Sequence, residues 1–536
     1  MADTVNAAAK VAAATALAAN AFLGADEGIA GTNKPVSPLP AFIPSFLQPM
    51  WGFPGFRFII NYIQASYRND PVRSFLELCL VIFVIWWTSR TKYKQGRNEV
   101  VLTEGEVDEL VEDWKPEPLV PALSEAKIRA LEKIPVIDGP SGVMVRLNGK
   151  TPAINFASYN HLGVISTDKA RETAISVLRQ YGVGSCGPPG FYGTLDVHQD
   201  LEKHIAEFTG FPSAILYSQG MSTTLSIIPC FSKRGDTIVA DEAVSFAVQQ
   251  AINLSRSRVY WYKHNDMRDL ESVLKKVNSS LAQRKGPLSR RFIVTEGLFQ
   301  NTSQIAPLPE IIELKEKYKY RLILDESHSF GVLGKRGAGL TDYFNVPTEK
   351  IDLMIGSLCN AIGVSGGFCA ADKDLISHQR LSGLGYCFSA SMPAILSVAS
   401  SDVIGILSKN PESLLAPLRR NTKLMHEQLS KISGINVEGH QESPIIHVSI
   451  SPTALTKRKS NGEWTRGDVE NALQDLVDEA LKNGVLLTRA QYVDDHEHLL
   501  PNPSIRICVS AQHSEKDIAK CAKVISNAVQ RVTKKK

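Results

Sequence analysis

The run Leu322-Ile-Leu-Asp-Glu-Ser-His-Ser-Phe-Gly-Val-Leu-Gly334 holds two side chains that can do chemistry, Asp325 and His328, three residues apart. An apolar strand that ends in an aspartate sets a carboxylate at the carboxyl edge of a sheet, where α/β proteins take their ligands. Such a carboxylate can keep the ring nitrogen of a heteroaromatic cofactor protonated, and His328 could support it or reach the cofactor itself. The plainer alternative is a turn whose aspartate caps the next helix.

Four other stretches could belong to the same chemistry. Tyr217-Ser-Gln-Gly-Met-Ser-Thr-Thr224 leads from an apolar strand into a helix, so Gly220 and the amides after it could hold a phosphate. Gly182-Val-Gly-Ser-Cys-Gly-Pro-Pro-Gly-Phe-Tyr-Gly-Thr194 is dense in glycine and proline and also carries aromatics, which suits a shaped contact loop rather than a flexible linker. Cys186 and Tyr192 are its candidate contact side chains. Ser504-Ile-Arg-Ile-Cys-Val-Ser-Ala-Gln-His513 puts Arg506 inside an apolar strand. A buried arginine needs an anion, either a ligand carboxylate or a neighbouring Asp or Glu. Ile355-Gly-Ser-Leu-Cys-Asn-Ala-Ile-Gly-Val-Ser-Gly-Gly-Phe368 is a glycine-rich run with Asn360 near its centre. There the backbone can come close to whatever it faces.

These stretches need a frame. Short β-branched runs at 214–217, 237–240, 259–262, 291–295, 321–324 and 352–355 alternate with helical segments such as 196–209 and 309–318. That alternation predicts a mainly parallel sheet covered by helices. Beyond about residue 395 the pattern becomes mostly helical, with strands at 445–450, 485–488 and 504–509, which suits a smaller α+β domain.

At 536 residues the chain is long enough for two or three folded units. A net charge of +4 without a basic block argues against nucleic acid as a partner. The cysteines at 79, 186, 230, 359, 369, 387, 508 and 521 form no C-x-x-C pair. Neither a disulfide framework nor a metal site is expected, and a reducing compartment is. Residues 1–50 read as a flexible leader, and the aromatic-rich 51–70 as a possible amphipathic helix in a membrane interface. Phe75-Leu-Glu-Leu-Cys-Leu-Val-Ile-Phe-Val-Ile-Trp-Trp87 reads as a transmembrane helix within 71–90, despite Glu77. Trp86 and Trp87 lie at its end, and Arg90, Lys92, Lys94 and Arg97 follow. A buried core helix is the alternative. Residues 91–150 contain an acidic stretch running into prolines and read as a linker. A large domain over 151–395 and a small one over 396–536 complete the expected order.

In this order and spacing the motifs resemble the α-oxoamine synthase branch of fold-type I pyridoxal-phosphate (PLP) enzymes, from Asn155-Phe-Ala-Ser-Tyr-Asn-His-Leu-Gly163 to Ser504–His513. Glu117-Pro-Leu-Val-Pro121, Tyr181–Pro188, Gly190–Thr194, Lys263-His-Asn-Asp-Met267 and His378–Ser391 narrow the likeness to the serine palmitoyltransferases. The resemblance implies a fold-type I transferase with a large and a small domain, preceded by an anchor in the endoplasmic reticulum membrane with the bulk of the chain cytosolic. Members of the branch condense an amino acid with an acyl-CoA thioester and release carbon dioxide.

The departures from the pattern matter most. The Schiff-base lysine falls on Asn360, and the histidine that stacks on the cofactor falls on Ser245 in Asp241-Glu-Ala-Val-Ser-Phe-Ala247. Gly220, Asp325 and His328 remain as cofactor-binding remnants, and Arg506 as the carboxylate-binding candidate. An amide forms no imine, so the resemblance implies that PLP is bound covalently by a lysine-bearing second subunit. This chain would complete the shared site with Cys186, Tyr192, Ser389 and Ser391, for L-serine and palmitoyl-CoA. Small regulatory membrane subunits are expected alongside. A membrane scaffold for a lipid enzyme and a self-sufficient condensing enzyme remain as alternatives.

Overall fold

The computed structural model describes residues 69–90, 102–116, 131–149, 151–282, 289–456, 464–494 and 496–534, together with Tyr62, Leu119 and Ile128. The expected leader at 1–50, nearly all of the expected interfacial helix at 51–70 and most of the Glu117–Pro121 motif lie outside them. The chain divides into two units, residues 1–122 and 123–536.

In the first unit, Pro71–Arg90 is a helix of 20 residues. At 1.5 Å per residue it is about 30 Å long, the thickness of a bilayer's hydrocarbon core. Its Pro71–Thr88 window has a mean hydropathy of 1.6, long and apolar enough to cross a membrane. Glu77, the one acid in the run, is paired with Arg73, Nε to Oε1 at 3.0 Å, one turn back. Its apolar side chains, including Leu80, Ile82 and Trp87, are exposed. The acidic segment forms the shorter helix Glu104–Asp113. It starts at Thr103, whose hydroxyl takes the Glu106 amide while the Glu106 carboxylate takes the Thr103 amide.

The second unit is built on a seven-stranded sheet. Its strands, β4 to β10 in chain order, are Ser213–Tyr217, Thr237–Asp241, Arg258–Tyr262, Arg291–Glu296, Arg321–Asp325, Leu353–Ser357 and Gly367–Ala371, in the spatial order β4-β10-β9-β8-β7-β5-β6. All are parallel except β10, which runs antiparallel to both neighbours. β5, β9 and β10 are buried along their whole length. Strands buried on both faces, as β5 is, read as continuous apolar runs rather than alternating ones. Helices lie on the sheet: Asp196–Thr209 buries Leu201, Ile205 and Phe208 and stops at Gly210, a left-handed cap with φ 81°.

A second sheet, β11-β12-β15-β14, joins Ile435–Glu438, Ile445–Ile450, Ile505–Cys508 and Thr488–Arg489 in antiparallel fashion. The third begins earlier in the chain. β1 to β3 (Ile137–Asp138, Met144–Leu147 and Thr151–Asn155) pair in sequence, and β3 runs parallel to β13, Val485–Leu486. The last part of the stretch expected as linker is therefore folded against residues from the far end of the chain.

The turn between β9 and β10 is closely packed. A Cβ on Gly356 would run into the Phe368 ring, and one on Gly367 into the Thr223 hydroxyl. Gly366 has φ +118°, and a Cβ there would overlap Met392 Cε and stand 3.0 Å from the Tyr217 carbonyl oxygen. Backbone strain and overpacking both oppose a side chain at 366, so Gly366→Ala is expected to lose about 2–4 kcal/mol. Urea denaturation should show this as a lower midpoint at unchanged slope. A variant within about 0.5 kcal/mol of wild type would refute the close packing.

Candidate functional site

The parallel strands converge on one edge, where β5, β7, β8 and β9 end at Asp241, Glu296, Asp325 and Ser357. Asp325 is buried. Its Oδ1 accepts from the Ser327 amide at 2.8 Å and its Oδ2 from the Thr224 hydroxyl at 3.1 Å. Glu296 lies beside it in register on β7. Glu296 Oε1 accepts from the Ser245 amide at 2.6 Å and Oε2 from the Gln300 amide at 3.1 Å. Burial raises the pKa of both acids, and the Asp325 charge raises Glu296 further. Each acid accepts two hydrogen bonds, so it is the added push of the Asp325 charge that favours the proton on Glu296.

Asn360 sits across from them. Its Nδ2 donates to the Ser327 carbonyl at 2.8 Å and approaches His328 Nδ1 at 3.3 Å. The bond described for His328 thus goes to Asn360, and neither described donor to the Asp325 oxygens is a histidine. The His328 ring lies 5.1 Å from the Tyr159 ring, and the Arg506 guanidinium lies over the same Tyr159 ring, 4.3 Å from its centroid. Arg506 Nη1 donates to the Tyr159 hydroxyl at 2.8 Å and Nη2 to the Ala157 carbonyl at 3.4 Å. Neither partner is an acid. Of the two anions expected for Arg506, a neighbouring Asp or Glu is absent from these bonds, and a tyrosine face takes its place.

Ser245 forms the N-cap position of helix Phe246–Ser255 without a side-chain cap bond, and its amide donates to Glu296. Gly220 opens helix Gly220–Phe231. A Cβ there would stand 3.3 Å from both the Ser357 hydroxyl and Cys359 Sγ, so this strand-to-helix turn is pressed against the 355–368 run. Lys335 is exposed.

The glycine-rich loop and the 389–391 segment form a second group. Cys186 and Tyr192 both take left-handed backbone angles, φ 65° and 64°. The Ser391 amide donates to the Gly187 carbonyl at 2.9 Å, and the Ser185 hydroxyl to the Ser391 carbonyl at 2.7 Å. The Ser389 and Ser218 hydroxyls are 3.1 Å apart. Two cavities open here. One of about 360 Å³ is lined by His198, Glu202, Arg380, Ser389 and Ser391. The other, about 480 Å³, is lined by Cys186, Gln219, Ser365, Ser389 and Ser391. Ser391 Oγ is buried and has no hydrogen-bond partner. Tyr192 lines neither cavity and its side chain is fully exposed. Neither cavity touches Asp325, His328, Asn360 or Arg506.

Residues 151–525 match the profile of the aminotransferase class I and II family. A long chain base biosynthesis protein 1 of Arabidopsis thaliana is 43% identical over 84% of this chain and 90% of its own length. Serine palmitoyltransferase 1 of Dictyostelium discoideum is 41% identical over 84% and 92%, and that of Saccharomyces cerevisiae 35% over 92% and 96%. The chain belongs to the serine palmitoyltransferase 1 (long-chain-base 1) branch of the class I and II aminotransferase family. Its fold is matched by a serine palmitoyltransferase from S. paucimobilis with a bound PLP–myriocin aldimine, at TM-score 0.66, 20% identity and coverage of 76% and 98%. An 8-amino-7-oxononanoate synthase from Francisella tularensis matches at 0.55, with 22% identity and coverage of 71% and 98%.

A PLP tethered as an imine needs a primary amine at the carboxyl edge of the sheet. Position 360 offers an amide already spent on Ser327 and His328, and both Asp325 oxygens are taken by this chain's own donors. These residues do not fit a covalently held cofactor. The chain's own end of the site is closed by its own hydrogen bonds.

Tyr159, Glu296 and Gln300 are parts of this site that the sequence reading passed over. Tyr159 lies inside the recognised 155–163 motif. Glu296 ends an apolar strand just as Asp325 does, a signal missed because the strand was ended one residue early.

Burial also sets the charge state here. It pulls His161 from the usual 6.5 to about 4 and His328 to about 3. His161 Nδ1 contacts the Val509 carbonyl at 2.7 Å, so the neutral ring donates there. The folded value lies below the unfolded one, so this stability is full above pH 6.5 and drains as pH falls toward 4. His161→Asn keeps a donor near Nδ1 but does not titrate. Its stability deficit against wild type should shrink by about 1–2 kcal/mol from pH 7 to pH 5 in urea denaturation, and a constant deficit would contradict the assignment.

Proposed function

We propose that this chain is the non-Schiff-base subunit of a heteromeric serine palmitoyltransferase. The complex would condense L-serine with palmitoyl-CoA to 3-ketodihydrosphingosine, the first step of sphingolipid synthesis. PLP would be held covalently by a lysine-bearing second subunit and supply the electron sink for the condensation. This chain's residues stabilise that partner and complete its site. The observation that carries the reading is where free space and free polar groups lie. The Asp325 carboxylate and the Asn360 amide are met by this chain's own groups, whereas the open cavities lie along the 185–187 and 389–391 segments, beside the unpartnered Ser391 hydroxyl.

In this reading Cys186, Ser389 and Ser391 face the shared site and Tyr192 reaches the partner chain. Gly220, Asp325 and His328 are kept for the fold, and Arg506 is committed to Tyr159. The helix Pro71–Arg90 serves as a single-pass anchor in the endoplasmic reticulum membrane, with the residues after it cytosolic and small regulatory membrane subunits beside it.

Two experiments test the reading. Borohydride reduction of the chain purified alone should leave no PLP adduct on any of its lysines, whereas co-purification with a lysine-bearing homologue should give both PLP absorbance and condensation activity. An adduct on a lysine of this chain would instead indicate a self-sufficient condensing enzyme. Cys186→Trp should lower the activity of the assembled complex by about a hundredfold, the cost of roughly 1 Å of displacement at a reacting centre. An assembled, fully active variant would leave only a membrane scaffold.

A further inference from the structure

The geometry points to His198 as a positioning residue that locks the glycine-rich loop to the 389–392 segment, and through them shapes the shared site; this rests on the function proposed above. His198 lies in the first turn of helix Asp196–Thr209 and is buried. The Leu195 amide donates to its Nδ1 at 2.9 Å, and its Nε2 lies 2.6 Å from the Met392 carbonyl oxygen. An amide can only donate and a carbonyl can only accept, so Nδ1 is bare and Nε2 carries the proton. One neutral tautomer satisfies both ends of the bracket.

The two ends are the points that matter. Leu195 directly follows the 182–194 loop, and Met392 directly follows Ser391. One turn further along the same helix face, Glu202 Oε1 accepts from the Leu216 amide at 3.2 Å and Oε2 pairs with Arg380 Nη2 at 2.6 Å. His198 and Glu202 thus stand as two braces along the cavity of about 360 Å³, one at the serine segment and one at Arg380. Met392 is itself buried and packs at Gly366. Without the Nε2 donor, the Met392 carbonyl loses this bond and the segment carrying Ser389 and Ser391 loses its tether on the helix side.

The test separates the two ends of the ring in the co-expressed complex. A glutamine amide sits near the Nε2 position and an asparagine amide near Nδ1. His198→Gln keeps the donor to Met392, whereas His198→Asn keeps only the acceptor for Leu195. With assembly and PLP absorbance unchanged, His198→Asn should lower kcat about tenfold or more, while His198→Gln recovers to within a few-fold of wild type. Asn equal to or better than Gln, or both equal to wild type, would overturn the assignment. If His198→Asn fails to assemble, His198→Gln decides alone, since an assembled but inactive Gln variant also overturns it. Wild-type behaviour of both variants beside an inactive Cys186→Trp complex would remove the bracket and leave the proposed function standing. An active Cys186→Trp complex would remove the function itself.

Discussion

Everything around the candidate site depends on how closely the turn between β9 and β10 is packed. Gly356 lies against the Phe368 ring, Gly367 against Thr223, Gly366 against Met392 and the Tyr217 carbonyl, and Gly220 presses in from the neighbouring helix. Interiors packed at this density transmit a shift rather than absorb it. The turn therefore fixes two faces at once. On one side Asn360 is held at Ser327 and His328. On the other, the Ser365 hydroxyl reaches the Ser218 carbonyl at 3.4 Å and helps wall the larger cavity. These glycines would be needed for packing even where no cofactor is tethered.

The two faces differ in how their polar groups are met. At the strand ends, the acids are dry and answered within the chain. Asp325 and Glu296 hold a proton between them, the buried histidines stay neutral, and Arg506 lies on Tyr159. Asp325 and Asn360 are thereby met within the chain, while Arg506 Nε and His161 Nε2 are buried without a hydrogen-bond partner. Along the serine segment, by contrast, the backbone is tied down by Gly187, Ser185 and His198 while the Ser391 hydroxyl is left unanswered. Rigid backbone with an unspent polar group is what a binding surface requires.

The large sheet was legible because its strands are short apolar runs separated by amphipathic helices. All six expected strands of this sheet begin within a residue of the observed start and end within two of the observed end, and the helix expected at 196–209 has those bounds. β10 was not legible: Gly-Phe-Cys-Ala-Ala carries no β-branched residue, and its place depends on two neighbours that enclose it. β1 and β2 were read as linker because they pair onward to β3, whose other neighbour, Val485–Leu486, lies more than 300 positions away. Within the site, each motif marked a residue but not its partner. Asp325 and Glu296 both end apolar strands, yet only the parallel register sets them side by side.

By itself the sequence determined the class of fold and the branch of the family, because each is written in contiguous runs of residues. Only the tertiary structure decided which polar groups are spent and which are free. It turned His328 to Asn360, Arg506 to Tyr159 across 347 positions, and His198 to Met392 across 194. Such pairings follow from register, helix packing and the exclusion of water, and these arise only when distant segments close on one another.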